Sequence, residues 1–416
     1  MRTRLRVPFF LLILLVLGAV LGEPDATQPL PPADELARPV APQYAVPALD
    51  ASQFRQPAAV EAAVGFILAL QPAGTYILSR PGDDDVVPMD LSHAAIALTK
   101  AGHVAEARAA LDWLLARQAR PGDPDVVVTK TTADRCLTVD YSGSWYDHYA
   151  SNGDARAGLT RGRGEAVGLT LIAVDAVAQA DPDYLTHEVA GEPVWAYVAR
   201  SVGYLSRPAL QDADGRFNHR PDYRVSFNEE GARMALGLHL AAKLLAGHDA
   251  RAAALARVHA ARGLAALARG DGFAQGMAYD YYAGALWGLV SGPAARAELA
   301  DTRATGLIVT DGVRMYDWQV HRADNPVEAV TWWFRERVVA PSESFDWGIA
   351  NLMAGNLGAA LAIESAWLPR QRADGGFADG YFLAFRLPVG APTSYSAARF
   401  ILFERLLTEA TRSRTT

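Results

Sequence analysis

The chain has one cysteine, Cys136, among its 416 residues, so neither an internal disulfide nor a thiolate zinc cluster can form within it. Lysine is nearly as scarce, Lys100, Lys130 and Lys243 being the only three, and the formal net charge is -7. That balance does not signal the basic face by which a protein holds nucleic acid or an anionic membrane surface. No convincing run of alternating apolar and polar residues marks a strand. Metal-ligand spacing is also missing: His93 and His239 lie on apolar helix faces with no paired ligand near them, and read as core histidines. The arginine-glycine alternation at 161–164 is too slight for a phosphate loop. No cofactor and no metal is expected. The acidic run Asp83, Asp84, Asp85 reads as a solvated turn before it reads as a calcium site.

What the chain does have is apolar mass, 50% hydrophobic residues and 9% aromatics, ample for a sizeable core. Arg2, Arg4 and Arg6 precede an apolar run at 8–21 that is short for a membrane span. Residues 1–22 therefore read as a signal peptide or an N-terminal membrane anchor. The expected location is secreted and extracytoplasmic, or tethered to the outer face of the cytoplasmic membrane. A Pro/Ala-rich linker at 23–56 follows, then a single domain at 57–416.

Within that domain the periodicity predicts helices near 57–70, 90–101, 104–118, 164–180, 191–206, 226–246, 249–269, 279–290, 293–302, 324–338, 344–368 and 393–412. Short breaker turns, such as Gly102-His103, Gly247-His248-Asp249 and Ser291-Gly292-Pro293, alternate with long connections. Each short turn reverses the chain, so the long loops must gather at one end. Helices after long loops are apolar nearly all round, whereas 104–118 and 250–269 carry a charged face. Inner and outer helices in alternation give an all-α fold, an (α/α)6 toroid of six helical hairpins with long loops at one face. Those loops repeat a glycine turn followed by an aromatic: Gly143-Ser144-Trp145, then DGRF at 214–217, GDGF at 270–273 and DGGF at 374–377. About half of these aromatics are assigned to packing and the rest to the mouth.

A mouth lined with acids and rings, and poor in lysine, suits a polyhydroxylated ligand, so the expected partner is an oligo- or polysaccharide. The long loops supply Trp145, Tyr146, Asp147, His148 and Tyr149, then Asn218, His219 and Tyr223, then Tyr316, Asp317, Trp318 and Gln319; Trp332 and Trp333 open a later helix. Glycoside hydrolysis needs two carboxyl groups facing one cavity, one to protonate the leaving oxygen and one to act on water or the sugar. Inner-helix starts offer Asp90, Glu165, Glu229, Glu230, Asp280, Asp324 and Glu328.

Several of these stretches resemble glycoside hydrolase family 15, the glucoamylases and trehalase-type relatives. PMDLSHAAIALTKAGHVAEARAALDWLLARQ at 88–118 looks like the family's inner-outer helix pair, and EAVGLTLIAVDAVAQADPDYL at 165–185 is similar to its next inner helix. The likeness runs on through VWAYVARSVGYLSRPALQDADGRF and NEEGARMALGLHLAAKLLAGHDA to TSYSAARFILFERLL near the end. The resemblance implies a glycosidase of the six-hairpin toroid class, inverting configuration, with Asp90 as a sugar-binding carboxylate and Glu229 or Glu230 as proton donor. Asp374 and Asp379 are the carboxylates nearest the last inner helix that could serve as base, Asp379 being taken as the catalytic one. Trp145, Tyr146, Asp147, His148, Glu165, Tyr223, Asp280, Trp318 and Trp332 are expected to bind substrate. Two other readings stay open: a non-catalytic glycan-binding or assembly protein on the same fold, and a terpenoid-cyclase-like toroid enzyme. Oligomeric state is not legible in the sequence.

Overall fold

The computed structural model describes residues 49–131, 136–156, 161–223, 228–269, 338–339, 341–353, 357–382 and 387–412. Its helices are α1 Pro57–Ala69, α2 Pro88–Lys100, α3 Val104–Leu115, α4 Gly164–Ala180, α5 Val194–Leu205, α6 Asn228–Leu244, α7 Ala250–Arg269, α8 Pro341–Met353, α9 Leu357–Trp367 and α10 Ser394–Arg412. The helix expected as one piece at 344–368 is two, α8 and α9. The chain between them holds Gly355-Asn356, a helix-stopping pair, and lies outside the described residues, as do the helices expected at 279–290, 293–302 and 324–338.

Two burial patterns separate the helices as the periodicity predicts. In α4 every residue from Gly164 to Val177 is buried, and in α2 every residue from Leu91 to Lys100. In α3 the buried set is Ala107, Ala110, Leu111, Leu114 and Leu115, a single stripe at helical spacing. The inner helices pack side by side in the order α8, α10, α2, α4, α6, while α3 backs α2, α7 backs α6, α9 backs α8 and α1 backs α10. This is an all-α toroid. Along part of the ring, α4 and α6 approach closely because Gly168 and Gly237 face each other, and a Cβ on either would strike the other helix's backbone.

Polar contacts also join neighbouring inner helices. Asp346 of α8 pairs with the fully buried Arg399 of α10 at 3.2 Å, and the Tyr395 ring of α10 meets the His93 ring of α2 edge-on at 4.7 Å. Ser92 of α2 and Thr170 of α4 share a hydrogen bond of 3.2 Å, and Glu165 of α4 forms an ion pair with Arg233 of α6. His93 is a core histidine, with its Nδ1 2.7 Å from the Met89 carbonyl oxygen.

Between hairpins the chain repeats one joint. The Gln118 side chain donates to the Gly143 carbonyl and to Tyr197 of α5; that of Gln211 donates to Gly215 and to His259 of α7; that of Gln371 donates to Gly375 and to Ala59 of α1. Gly143, Gly215 and Gly375 have φ of 89°, 94° and 87°, a left-handed backbone that favours glycine. Each also lies against a carbonyl of the following outer helix, where a Cβ would collide. The aromatics two residues on, Trp145, Phe217 and Phe377, are all buried, and the Trp145 indole N–H donates to the Leu114 carbonyl at 2.8 Å. The loop signature is therefore a packing device in all three described copies, more than the half assigned from sequence; GDGF lies outside the described residues.

Short strands decorate the loops, which the sequence pattern did not reveal. β1 Val127–Thr131 and β2 Cys136–Asp140 form an antiparallel hairpin with Val127 opposite Asp140 and Thr131 opposite Cys136. β3 Glu188–Val189 pairs with β4 Glu192–Pro193, and β5 Val338–Val339, β6 Gly380–Phe382 and β7 Leu387–Val389 form a small sheet in that order. Such segments are too brief for alternation to stand out. Among the described residues no helix is long and apolar enough to cross a membrane.

Candidate active site

The long loops converge over the inner-helix N-termini and bond to one another there. Val86 and Tyr149 exchange backbone hydrogen bonds of 2.9 and 3.0 Å, Gly164 N–H donates to the His219 carbonyl at 3.0 Å, and Ser394 N–H donates to the Ser79 carbonyl at 3.0 Å. Three inner-helix starts and four loops thus frame one mouth.

Asp90 sits in the first turn of α2, where unpaired N–H groups favour an acid. Protein packs closely around it, yet it keeps some solvent-accessible surface. Burial pushes its carboxyl up to about 6, opposed by the Ser79 hydroxyl and the Arg80 guanidinium. Asp85 and His148, both close enough to act on it, are tied together: His148 Nδ1 lies 2.8 Å from Asp85 Oδ2, and Arg156 Nε lies 3.1 Å from Asp85 Oδ1. Asp84 accepts from Ser151 N–H at 2.8 Å, so the acidic turn is spent on holding loops together.

Glu230, in the first turn of α6, is buried and faces His219 of the preceding loop. Both of its carboxylate oxygens lie within hydrogen-bond distance of His219 Nδ1, at 2.9 and 2.8 Å. Burial, then the positive charges of Arg163 and Arg220, bring the His219 imidazole down to about 4. At neutral pH the ring is uncharged, and its Nδ1–H donates to the Glu230 carboxylate. Tyr223, 48% exposed, meets the His219 ring edge-on at 5.9 Å.

The remaining residues singled out from the sequence fall into four groups. Tyr146, Asp147 and His148 are half-buried in the mouth loops, with the Arg161 guanidinium 3.7 Å from the centre of the Tyr146 ring. Trp145 is turned into the core, and Glu165 is committed to Arg233, so neither is presented to a ligand as expected. Asp374 closes its own turn by accepting from Gly376 N–H at 3.0 Å. Asp379 is exposed and lies 3.5 Å from Arg80, a bridge between the last loop and the first. Asp280, Trp318 and Trp332 lie outside the described residues, and so does the side chain of Glu229. Sequence reasoning missed the roles of Ser79, Arg80 and Arg163, since isolated residues in loops leave no periodic signal. His239 of α6 is half-buried, with its imidazole lowered by burial and then by Lys243.

An all-α toroid whose loops gather on the inner-helix N-termini is a fold shared with solved glycosidases. No family model matches the chain, and no curated protein is similar to it in sequence. Among solved structures it is similar to a wild-type glycosidase at 17% identity and a TM-score of 0.60, covering 86% of this chain and 99% of that one. A glycosidase variant in complex with glucose matches at 16% identity and a TM-score of 0.60, with the same 86% and 99% coverage. Glucoamylase of Hormoconis resinae matches at 11% identity and a TM-score of 0.51 over 86% of this chain and 72% of that one. At these identities the likeness establishes the fold.

Proposed function

We propose that the protein is a glycoside hydrolase that cuts an oligo- or polysaccharide entered into the loop-lined mouth. The reading is carried by two acids in the first turns of inner helices: Asp90, whose carboxyl burial pushes up to about 6, and Glu230, whose carboxylate oxygens lie within hydrogen-bond distance of His219 Nδ1. Environments that push neighbouring acids apart are how a site divides proton donation from proton acceptance. In this reading Asp90 gives a proton to the leaving oxygen and Glu230, held in place by His219, acts as the anion on water or on the developing positive charge. That reverses the roles carried by the family resemblance, because a carboxylate engaged by a donor N–H is favoured in its ionised form. Tyr146 and Tyr223 offer ring faces for the sugar. The reading is tested by assaying the protein and its Glu229→Gln, Glu230→Gln and Asp90→Asn variants on a panel of linked oligosaccharides. Absence of turnover together with sugar binding would favour the non-catalytic glycan-binding reading; absence of both sinks the glycan reading.

Export belongs to the same proposal. Three arginines, an apolar run and a Pro/Ala-rich linker precede the toroid, the order of a signal or tether. Sequencing the N-terminus of the protein recovered from its cells separates a cleaved signal from a retained anchor.

A further inference from the structure

Arg163 immediately precedes α4, half-buried at the mouth. Its Nη1 rests 3.5 Å from Met89 Sδ, and among the described residues no carboxylate pairs with it. The other cations nearby are engaged, Arg161 by the Tyr146 ring at 3.7 Å and the Asp125 carbonyl. Arg80 faces Asp379 at 3.5 Å, Arg156 faces Asp85 at 3.1 Å, Arg220 faces Asp222 at 3.7 Å, and Arg233 pairs with Glu165. A guanidinium partly removed from water with no counter-anion keeps its desolvation cost and receives no Coulomb return.

Position fixes what could supply that return. Arg163 touches the start of α2 through Met89, and the residue after it donates its N–H to the His219 carbonyl. It therefore stands between the helix that carries Asp90 and the His219–Glu230 pair. Its charge also acts on His219, whose protonation it opposes. The N-terminal end of α4 adds a partial positive charge at the same place.

We propose that Arg163 seats the carboxylate of an acidic sugar, so that the substrate is a glycan containing uronic acid units and Arg163 is the residue that selects them. The planar fork of a guanidinium matches a carboxylate through two parallel hydrogen bonds and cancels its charge; a neutral polyol leaves the charge standing. The inference rests on the glycan reading above and narrows it.

The experiment is calorimetric binding of an oligouronide and of its carboxyl-reduced, neutral counterpart to the wild-type protein, Arg163→Gln and Arg163→Lys, with hydrolysis of both ligands followed in parallel. The wild type is expected to prefer the oligouronide by roughly tenfold to a hundredfold, with the preference shrinking as salt rises. Arg163→Gln should erase the preference while neutral binding stays within about twofold, and Arg163→Lys should keep part of it. Equal binding of the two ligands by the wild type, or equal loss of both in Arg163→Gln, overturns the inference even where hydrolysis is seen. Preferential oligouronide binding without any cleavage leaves the anion site standing and removes the hydrolase. Binding of neither ligand removes both. Should Arg163→Gln not fold, the wild-type salt series and Arg163→Lys decide the matter.

Discussion

Asp90 and Glu404 are both carboxyl groups that the protein has driven toward protonation, and they differ in what surrounds them. At the mouth, Asp90 keeps contact with solvent and is approached by loop residues, Ser79, Arg80 and His148. At the seam where the start of the domain meets α9 and α10, Glu404 is sealed from solvent beside Glu364, and Arg55 forks onto Glu364 through hydrogen bonds of 2.9 and 2.8 Å. Burial, then the charge of Glu364, raises the Glu404 carboxyl well above the carboxylate range. A displaced proton affinity is thus no mark of function by itself. The difference lies in access: one acid keeps solvent-accessible surface, the other is sealed in the core beside an arginine-bound glutamate.

The largest effect is expected of Glu230→Gln, which should lower turnover by roughly a hundredfold to ten-thousandfold while the melting temperature stays put, as measured by initial rates and thermal denaturation. Asp90→Asn should follow, with a loss of about a hundredfold and a change of pH profile. As a proton donor Asp90 works only while protonated, so wild-type kcat should fall as pH rises through about 6, and the variant should lose that limb. At the seam the pattern inverts. Arg55→Met strips Glu364 of its partner and should cost about 2 kcal/mol in urea melts, less than a fully buried pair because Arg55 is partly solvated, with activity per folded molecule unchanged. Loss of activity in folded Arg55→Met would break the contrast between the two places.

The smallest effect belongs to Glu404→Gln. Folded chains keep a proton on Glu404 that unfolded chains release above roughly pH 4.3, so wild-type stability should decline as pH rises from there toward the higher folded-state value. Glu364, Arg55, Gln56 and Thr408 are the polar groups around this cluster, and a neutral amide at 404 removes the proton from the balance. The variant should be more stable by about 1 kcal/mol at pH 8 and indistinguishable near pH 4, in denaturant titrations at the two pH values.

Much of the architecture was legible before any coordinates. Helices apolar all round and helices with one apolar stripe differ in sequence because their surroundings differ, and α2, α3, α4 and α6 fall where the periodicity places them. The turn after α2 was equally plain: Gly102, at φ 89°, lets His103 N–H reach back to the Leu98 carbonyl at 2.8 Å and stop the helix. The glycine-aromatic turns were visible too, and the glutamines of QDADGRF and QRADGGF could have exposed them as joints, since the amide spans from its own turn to the next outer helix.

A mostly helical chain, its inner and outer helices, and the acids available at the inner-helix starts follow from the order of residues alone, because each is written in local periodicity or in the chemistry of a helix's first turn. Which side chains reach the mouth depends instead on packing between distant parts of the chain. Trp145 and Glu165 looked like ligand contacts and are taken up by the core and by Arg233, while Glu230 finds His219 across a loop and Arg163 meets no carboxylate among the described residues. Partners of that kind are set by how rigid helices bring distant loops together, and no spacing along the chain encodes the distance between them.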